Sequence, residues 1–206
     1  MRAIYLVRHG DTFAPGEAPR RIGARTDLPL VASGREQAWR LRAWFDAAGL
    51  VFDTAWTSSL RRARETLAIL RAGSMPPVVA AWLGEIDHGP DENCPEAEVR
   101  ARVGDAALVA WDRDAVPPDG WRVDADARLA GWRAFLDEQR EQDGTALLVT
   151  SNGAARFALL AAPDLAEQSR ALPSLKLRTG AWGRLCWTGA RWTIDEWDER
   201  PPTPDI

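Results

Sequence analysis

The stretch IYLVRHGDT, residues 4–12, decides how the chain is read. Ile4 to Val7 form an apolar run of strand length that stops at Arg8-His9-Gly10. A cation, an imidazole and a glycine do not continue a buried strand, so they belong to the junction that follows it. A second stretch, ALLVTSNGAARFALLAA, residues 146–162, repeats the design: apolar strand, Ser151-Asn152-Gly153, then a helical pattern. A third strand end, TSSLRRARET, residues 57–66, puts Arg61, Arg62 and Arg64 at the start of a helix. In α/β sheets, ligands bind beyond the carboxyl ends of the strands, so the three junctions read as one site. Gly10 and Gly153 would let backbone approach a ligand closely. The helix that begins beside Asn152 favours an anion at its N-terminus.

Outward from the first strand, residues 11–32 are rich in Pro, Gly and Arg and read as an ordered loop. Ser33-Gly34-Arg35-Glu36 has the spacing of a capping box. It predicts a helix to Ala48, with Ala38, Leu41, Phe45 and Ala48 on one face and Gly49 as its stop. VFDTAWTS, residues 51–58, reads as the second strand, and Ser58 or Ser59 as the cap of a helix ending near Gly73. PPVVAAWL, residues 76–83, is a short strand. Residues 84–120 read as a lid-like insertion with one short helix around 95–112. A helix near 124–141, a strand at 145–150 and a helix at 153–162 follow, then a hairpin over 180–197 that turns near Thr188-Gly189-Ala190. The expected architecture is one α/β domain over residues 1–198, with residues 199–206 as a flexible tail. Alternating strands and helices imply a mainly parallel sheet covered on both faces.

Composition narrows the classes of function. The 206 residues suffice for one sizeable core, and the net charge of −4 disfavours nucleic acid or an anionic membrane as partner. No apolar run reaches membrane-spanning length, and no leader-like segment precedes the first strand. Cys94 and Cys186 are the only cysteines and lack metal-ligand spacing, which fits a reducing, cytoplasmic setting. Lys176 is the sole lysine; the arginines that carry nearly all the positive charge suit bidentate binding of phosphate. The eleven tryptophans are scattered without a repeat and read mostly as packing.

His9 taken alone is compatible with a nucleophile, a general base, a metal ligand or a packed core residue. A metal is disfavoured because no second histidine is near in sequence and Arg8 opposes a cation. Flanking arginines would bind a phosphate dianion and hold the imidazole neutral and nucleophilic.

LVRHGDT, residues 6–12, resembles the signature of the histidine phosphatase superfamily, the phosphoglycerate-mutase-like proteins. The resemblance extends along the chain in order through RTDLPLVASGREQA, SSLRRARET, LGEIDHG and VTSNGAARF. It implies a three-layer α/β/α sandwich with a mixed, mainly parallel central sheet. It also implies in-line attack by His9 on a phosphoryl group, with Arg8 and Arg62 holding the oxygens. Glu85 would protonate the leaving oxygen and then activate water, with Asp87 as the alternative acid. No metal or other cofactor is implied; the partner is a small phosphorylated substrate, and a homodimer stays open.

Two positions depart from the pattern. Asn152 stands where the family usually has a second histidine; an amide donates a hydrogen bond but carries no charge. Three explanations compete: a natural variant that makes a slower or differently tuned phosphatase, a non-catalytic binder of phosphorylated ligands, or an engineered substitution. His88 is a second candidate for the missing imidazole. Pro15 stands where many relatives have a phosphate-contacting asparagine; Arg20, Arg21 or Arg25 could compensate, Arg25 being favoured because RTD fits best. Thr12 and Gly153 complete the phosphate-binding set. A phosphomutase ranks lower, because residues 86–120 show no cluster of arginines or lysines to clamp an intermediate; Arg100, Arg102 and Arg113 are interspersed with acids.

Overall fold

The β1 strand (Arg2–Arg8) is buried on both faces, and its successive side chains serve two separate cores. Ile4 and Leu6 point to one side with Ala146 and Leu148; Tyr5 and Val7 point to the other with Leu147 and Val149. This two-sided burial explains the continuous apolar runs. The computed structural model describes residues 1–70 and 76–202.

The remaining elements are α1 (Ala32–Ala47), β2 (Thr54–Thr57), α2 (Arg61–Leu70), β3 (Val78–Val79), α3 (Glu96–Asp114), α4 (Ala125–Gln139), β4 (Gly144–Thr150), α5 (Asn152–Leu160), α6 (Pro163–Ser169), β5 (Trp182–Trp187) and β6 (Trp192–Glu199). The sheet order is β3-β2-β4-β1-β5-β6. The first four of these strands are parallel, with Arg8 paired to Thr150, and the β5–β6 hairpin adds antiparallel to β1. Leu41 and Phe45 of α1 and Ala63, Leu67 and Leu70 of α2 cover one face. Helices α3 to α6 cover the other through Trp111, Trp132, Phe135, Phe157 and Leu165. The result is a three-layer α/β/α sandwich whose parallel strand ends β1, β2 and β4 lie side by side.

Several local expectations are corrected. The capping box does not form: Val31 is the N-cap of α1, without a side-chain cap, and Ser33 Oγ is buried without a partner. The helix start is held by packing instead. A Cβ on Gly34 would lie 2.1 Å from Asp11 O, and one on Gly10 would lie 2.2 Å from Gly34 O. The two glycines thus let the loop after β1 press against the first turn of α1. At α2, neither serine caps the first helical N–H; Asp27 Oδ1 accepts from Arg61 N at 2.6 Å. A cap of this kind contributes about 1 kcal/mol. The expected end of that helix, Gly73, lies outside the described residues. The lid helix lies within two residues of the expected bounds but is kinked at Gly104, whose φ is +79°. Helix α6 was not anticipated, although Pro163 at its first turn is a recognisable start signal. Two residues assigned to the tail have fixed partners: Glu199 is in β6, and Arg200 Nη2 donates to Thr179 O at 2.7 Å.

Candidate active site

His9 leaves the end of β1 with its backbone N–H still bonded to Thr150 O of β4, 3.0 Å away. Its ring is only 3% exposed. Nδ1 lies 2.8 Å from Gly10 O. A carbonyl only accepts, so the ring proton sits on Nδ1 and the lone pair on Nε2. That lone pair accepts from Arg62 Nε at 3.1 Å. Burial first, then the charges of Arg62 and Arg8, hold the His9 pKa well below its ordinary value. The imidazole is therefore neutral, with its lone-pair nitrogen directed toward a guanidinium.

Arg62 is fully buried. Its Nη1 and Nη2 donate to Thr26 O and Gly23 O, at 2.7 and 3.2 Å, so the first loop sets its orientation. Arg61 faces outward on Glu65. Arg8 Nη1 donates to Leu177 O at 2.8 Å, and its Nε is buried without a partner. Leu177 also donates its N–H to Asn152 Oδ1 at 2.9 Å. Because a backbone N–H must meet the amide oxygen, the Asn152 NH2 is left as the free end of the side chain. One peptide residue, distant in sequence from both strand ends, thus orients Arg8 and Asn152 together.

Glu85 is 7% exposed. Its carboxylate accepts from Ile86 N at 2.9 Å and from Gly153 N at 3.2 Å. Burial pushes its pKa up, but His88, the Ile86 N–H, Arg62 and the Gly153 N–H together bring it below the usual carboxylate range. In the free site Glu85 is ionised, whereas a leaving-group acid must be protonated. The Cβ absent from Gly153 would lie 2.1 Å from Glu85 Oε1. Gly153 therefore makes room for the carboxylate, as Gly10 makes room for Gly34; neither close approach is to a ligand.

A cleft of about 530 Å³ is lined by Arg8, His9, Thr12, Glu85, His88, Asn152 and Gly153, among others. The sequence-derived residues Arg62 and Arg25 fall outside this lining. Arg62 touches it through His9. Arg25 is turned away: Nε meets Asp87 Oδ1 at 3.0 Å and Nη2 meets Gly89 O at 2.6 Å. These bonds tie the first loop to the lid, because both partners lie just after Glu85. Asp87 accordingly serves that junction and is absent from the cleft wall. His88 is 4% exposed and packs edge-on against Trp121, with ring centres 4.5 Å apart.

Three contributors were missed from the sequence. Glu92 accepts from the N–H groups of Gly23, Arg25 and His88 and from Thr26 Oγ1. Burial raises its pKa, yet the His88 side chain, Thr26 and the N–H groups of His88 and Gly23 together lower it to about 2. Gln37 brackets Asp11, accepting from its N–H at 2.9 Å and donating to its carboxylate at 2.8 Å. Leu177 is the third. Glu92 and Leu177 carry no local signal: each acts on a loop far away in the chain. The Gln-Ala within the quoted GREQA segment did mark Gln37, but without a role.

Among the described residues, no group of three or more His, Cys, Asp or Glu side chains is arranged to hold a metal ion. Nor is any helix there long and apolar enough to cross a membrane.

A buried neutral imidazole beside the Arg62 guanidinium, at the carboxyl edge of a parallel sheet, suits an anionic ligand such as a phosphoryl group. The comparisons agree with that class. The model of the histidine phosphatase superfamily, branch 1, matches residues 4–200, and the chain belongs to that family. A 2,3-bisphosphoglycerate-dependent phosphoglycerate mutase of Methylobacterium radiotolerans is 30% identical over 186 residues, 87% of this chain and 86% of its own length. The native structure of a mycobacterial glucosyl-3-phosphoglycerate phosphatase superposes with a TM-score of 0.72 at 27% identity, covering 96% of this chain and 98% of its own. The alpha-ribazole phosphatase of Shigella flexneri has the same fold, with a TM-score of 0.72 at 23% identity over 99% of this chain and 100% of its own. Membership supports phosphatase or phosphotransferase activity in general.

Proposed function

We propose that the protein is a metal-independent phosphatase of small phosphorylated metabolites that works through a phosphohistidine at His9. The observation that carries this reading is the Nδ1–H bond to Gly10 O, which leaves a neutral Nε2 lone pair at the cleft. In the first step Nε2 attacks phosphorus in line, forming the N–P bond as the bond to the ester oxygen breaks. Arg8, Arg62 and the Asn152 NH2 neutralise or hydrogen-bond the equatorial oxygens. For Arg62 this means redirecting its Nε–H from the imidazole to the phosphoryl group, which frees the lone pair for attack.

The ester oxygen departs with a proton from Glu85. An arriving phosphate dianion supplies the negative charge that raises the Glu85 pKa. Substrate binding thereby converts the resting carboxylate into the acid. In the second step Glu85 takes a proton from water, whose oxygen attacks phosphorus and releases phosphate and His9.

Hydrolysis is favoured over mutase chemistry by the lid. Arg102 is committed to Asp91, Arg100 to Asp105, and neither these nor Arg113 lines the cleft. A binder without turnover would leave the His9 tautomer and the Glu85 cradle unexplained. The test is turnover of an aryl phosphate in EDTA, combined with brief labelling by a phosphorus-labelled substrate. An acid-labile, base-stable label is expected. A label stable to acid, or no saturable turnover at all, would remove the proposal.

A further inference from the structure

Residues 84–86, around Glu85, belong to no helix or strand, yet every carbonyl from Leu83 to Asp87 has a donor. Thr150 Oγ1 donates to Leu83 O at 2.5 Å, Ala24 N to Ile86 O at 2.8 Å and Arg122 N to Asp87 O at 2.8 Å. The two carbonyls between Leu83 and Ile86 share one donor group, the Arg128 guanidinium. Its Nη1 donates to Gly84 O at 2.5 Å and its Nη2 to Glu85 O at 3.1 Å. Arg128 is on α4, 43 positions beyond Glu85.

Arg128 reaches this segment because α4 presents one continuous face to it. Arg128, Gly131, Trp132 and Phe135 follow the i, i+3, i+4, i+7 spacing of a helix face. The Trp82 ring packs against three of them. Its centre is 4.6 Å from that of Trp132 and 5.4 Å from that of Phe135, and a Cβ on Gly131 would lie 2.6 Å from Trp82 Cγ. The aromatic contact sets the distance between α4 and the segment, and the half-buried Arg128 spans it. A guanidinium stays charged and presents its donors as a rigid planar fork, so it fixes two adjacent carbonyls at once. From the other side, Ile86 N and Gly153 N hold the Glu85 carboxylate. The main chain and the carboxylate of Glu85 are thus fixed by different elements.

We propose that Arg128 is a positioning residue for proton transfer: by fixing the Glu85 main chain it keeps the carboxyl group within reach of the departing ester oxygen. This rests on the reading of Glu85 as the acid. Arg128 does not line the cleft, so it acts only through Glu85. Its loss should therefore impair a reaction that needs the proton and spare one that does not. The p-nitrophenolate group leaves as a stable anion and needs little help from an acid, whereas the more basic phenolate depends on it.

The test compares kcat/KM for p-nitrophenyl phosphate and phenyl phosphate. This parameter reports the steps up to release of the phenol, so the later hydrolysis of the phosphoenzyme does not enter. Arg128→Gln should lower it for phenyl phosphate by on the order of 10²-fold, the cost of misplacing a reacting group by about 1 Å, and by much less for p-nitrophenyl phosphate. Arg128→Lys, a point donor in place of the fork, should recover part of the loss. Arg133→Gln, on the same helix but bonded to Ala161 O, should leave the ratio of the two substrates unchanged. Equal losses on both substrates, or none, overturn the positioning role. If Arg128→Gln does not fold, the lysine variant decides by the same ratio. Glu85→Gln run alongside separates the two readings. If it shifts the ratio and the Arg128 variants do not, only the role of Arg128 falls. If it leaves the ratio unchanged, the acid assignment falls and the positioning role with it. A protein that hydrolyses neither ester removes both.

Discussion

The ends of β1 and β4 look alike in the sequence, each an apolar strand closing on a polar residue and a glycine, yet they are built differently. At β1 the imidazole is oriented by its neighbour: His9 Nδ1 meets Gly10 O, one residue away. At β4 the orientation is imported, because Asn152 Oδ1 is held by the N–H of Leu177. The glycines differ as well. Gly10 faces the backbone of Gly34, which has little freedom to yield, whereas Gly153 faces the end of the Glu85 side chain. A junction that is locally self-sufficient should fail in one way, and a junction assembled from remote parts in another.

The largest effect should come from the β1 end. On the proposed mechanism His9→Ala removes the attacking atom, and steady-state turnover of an aryl phosphate should fall by at least about 10⁴-fold, as loss of a nucleophile typically does. Residual activity within tenfold of wild type would break the assignment. At the β4 end Asn152→Ala removes one preorganised donor, and kcat should fall by roughly 10²-fold. No change in kcat would mean that His88 or a backbone amide holds the phosphoryl group instead.

The glycine pair sharpens the contrast. Gly153→Ala should displace the Glu85 carboxylate and lower kcat by roughly 10²-fold, the usual scale for an acid–base group, with little change in Tm. Gly10→Ala must move backbone, and overpacking of that kind costs about 1–3 kcal/mol, or a Tm lower by roughly 2–10 °C. Thermal unfolding beside kinetics reads both; equal losses of Tm would show that the two junctions are not distinct.

The smallest effect is in pH. The folded-state pKa of His9 is depressed, so below its ordinary value of 6.5 the unfolded chain binds a proton that the native protein does not. This stabilising contribution is complete above pH 6.5 and is lost as pH falls below it, by up to about 1.4 kcal/mol per pH unit. Asn152 cannot titrate and contributes nothing. Urea unfolding at pH 7.5 and 5.5 should therefore show a loss of about 1 kcal/mol that His9→Gln abolishes. If the variant loses as much as the wild type, His9 is not the source.

The amino-acid order alone determined the elements that depend on local pattern. The apolar runs marked the strands, residues 180–197 marked a hairpin, and the chemistry-bearing side chains fell at strand ends because charge cannot continue a buried strand. Only the tertiary structure decided which partner each polar group takes. Ser33 and Glu36 have a capping spacing and do not cap; Asp27 caps α2 from 34 positions away. Arg25 fits the motif and turns to Asp87, whereas Arg20 and Arg21 reach the cleft. Glu85 is marked in the sequence only by its place in LGEIDHG, and its burial among N–H donors is a property of the packed structure. Periodicity is written in neighbouring residues, and neighbours suffice to read it. A hydrogen bond between loops is settled by which donors and acceptors the packed sheet brings within about 3 Å, and that distance has no counterpart along the chain.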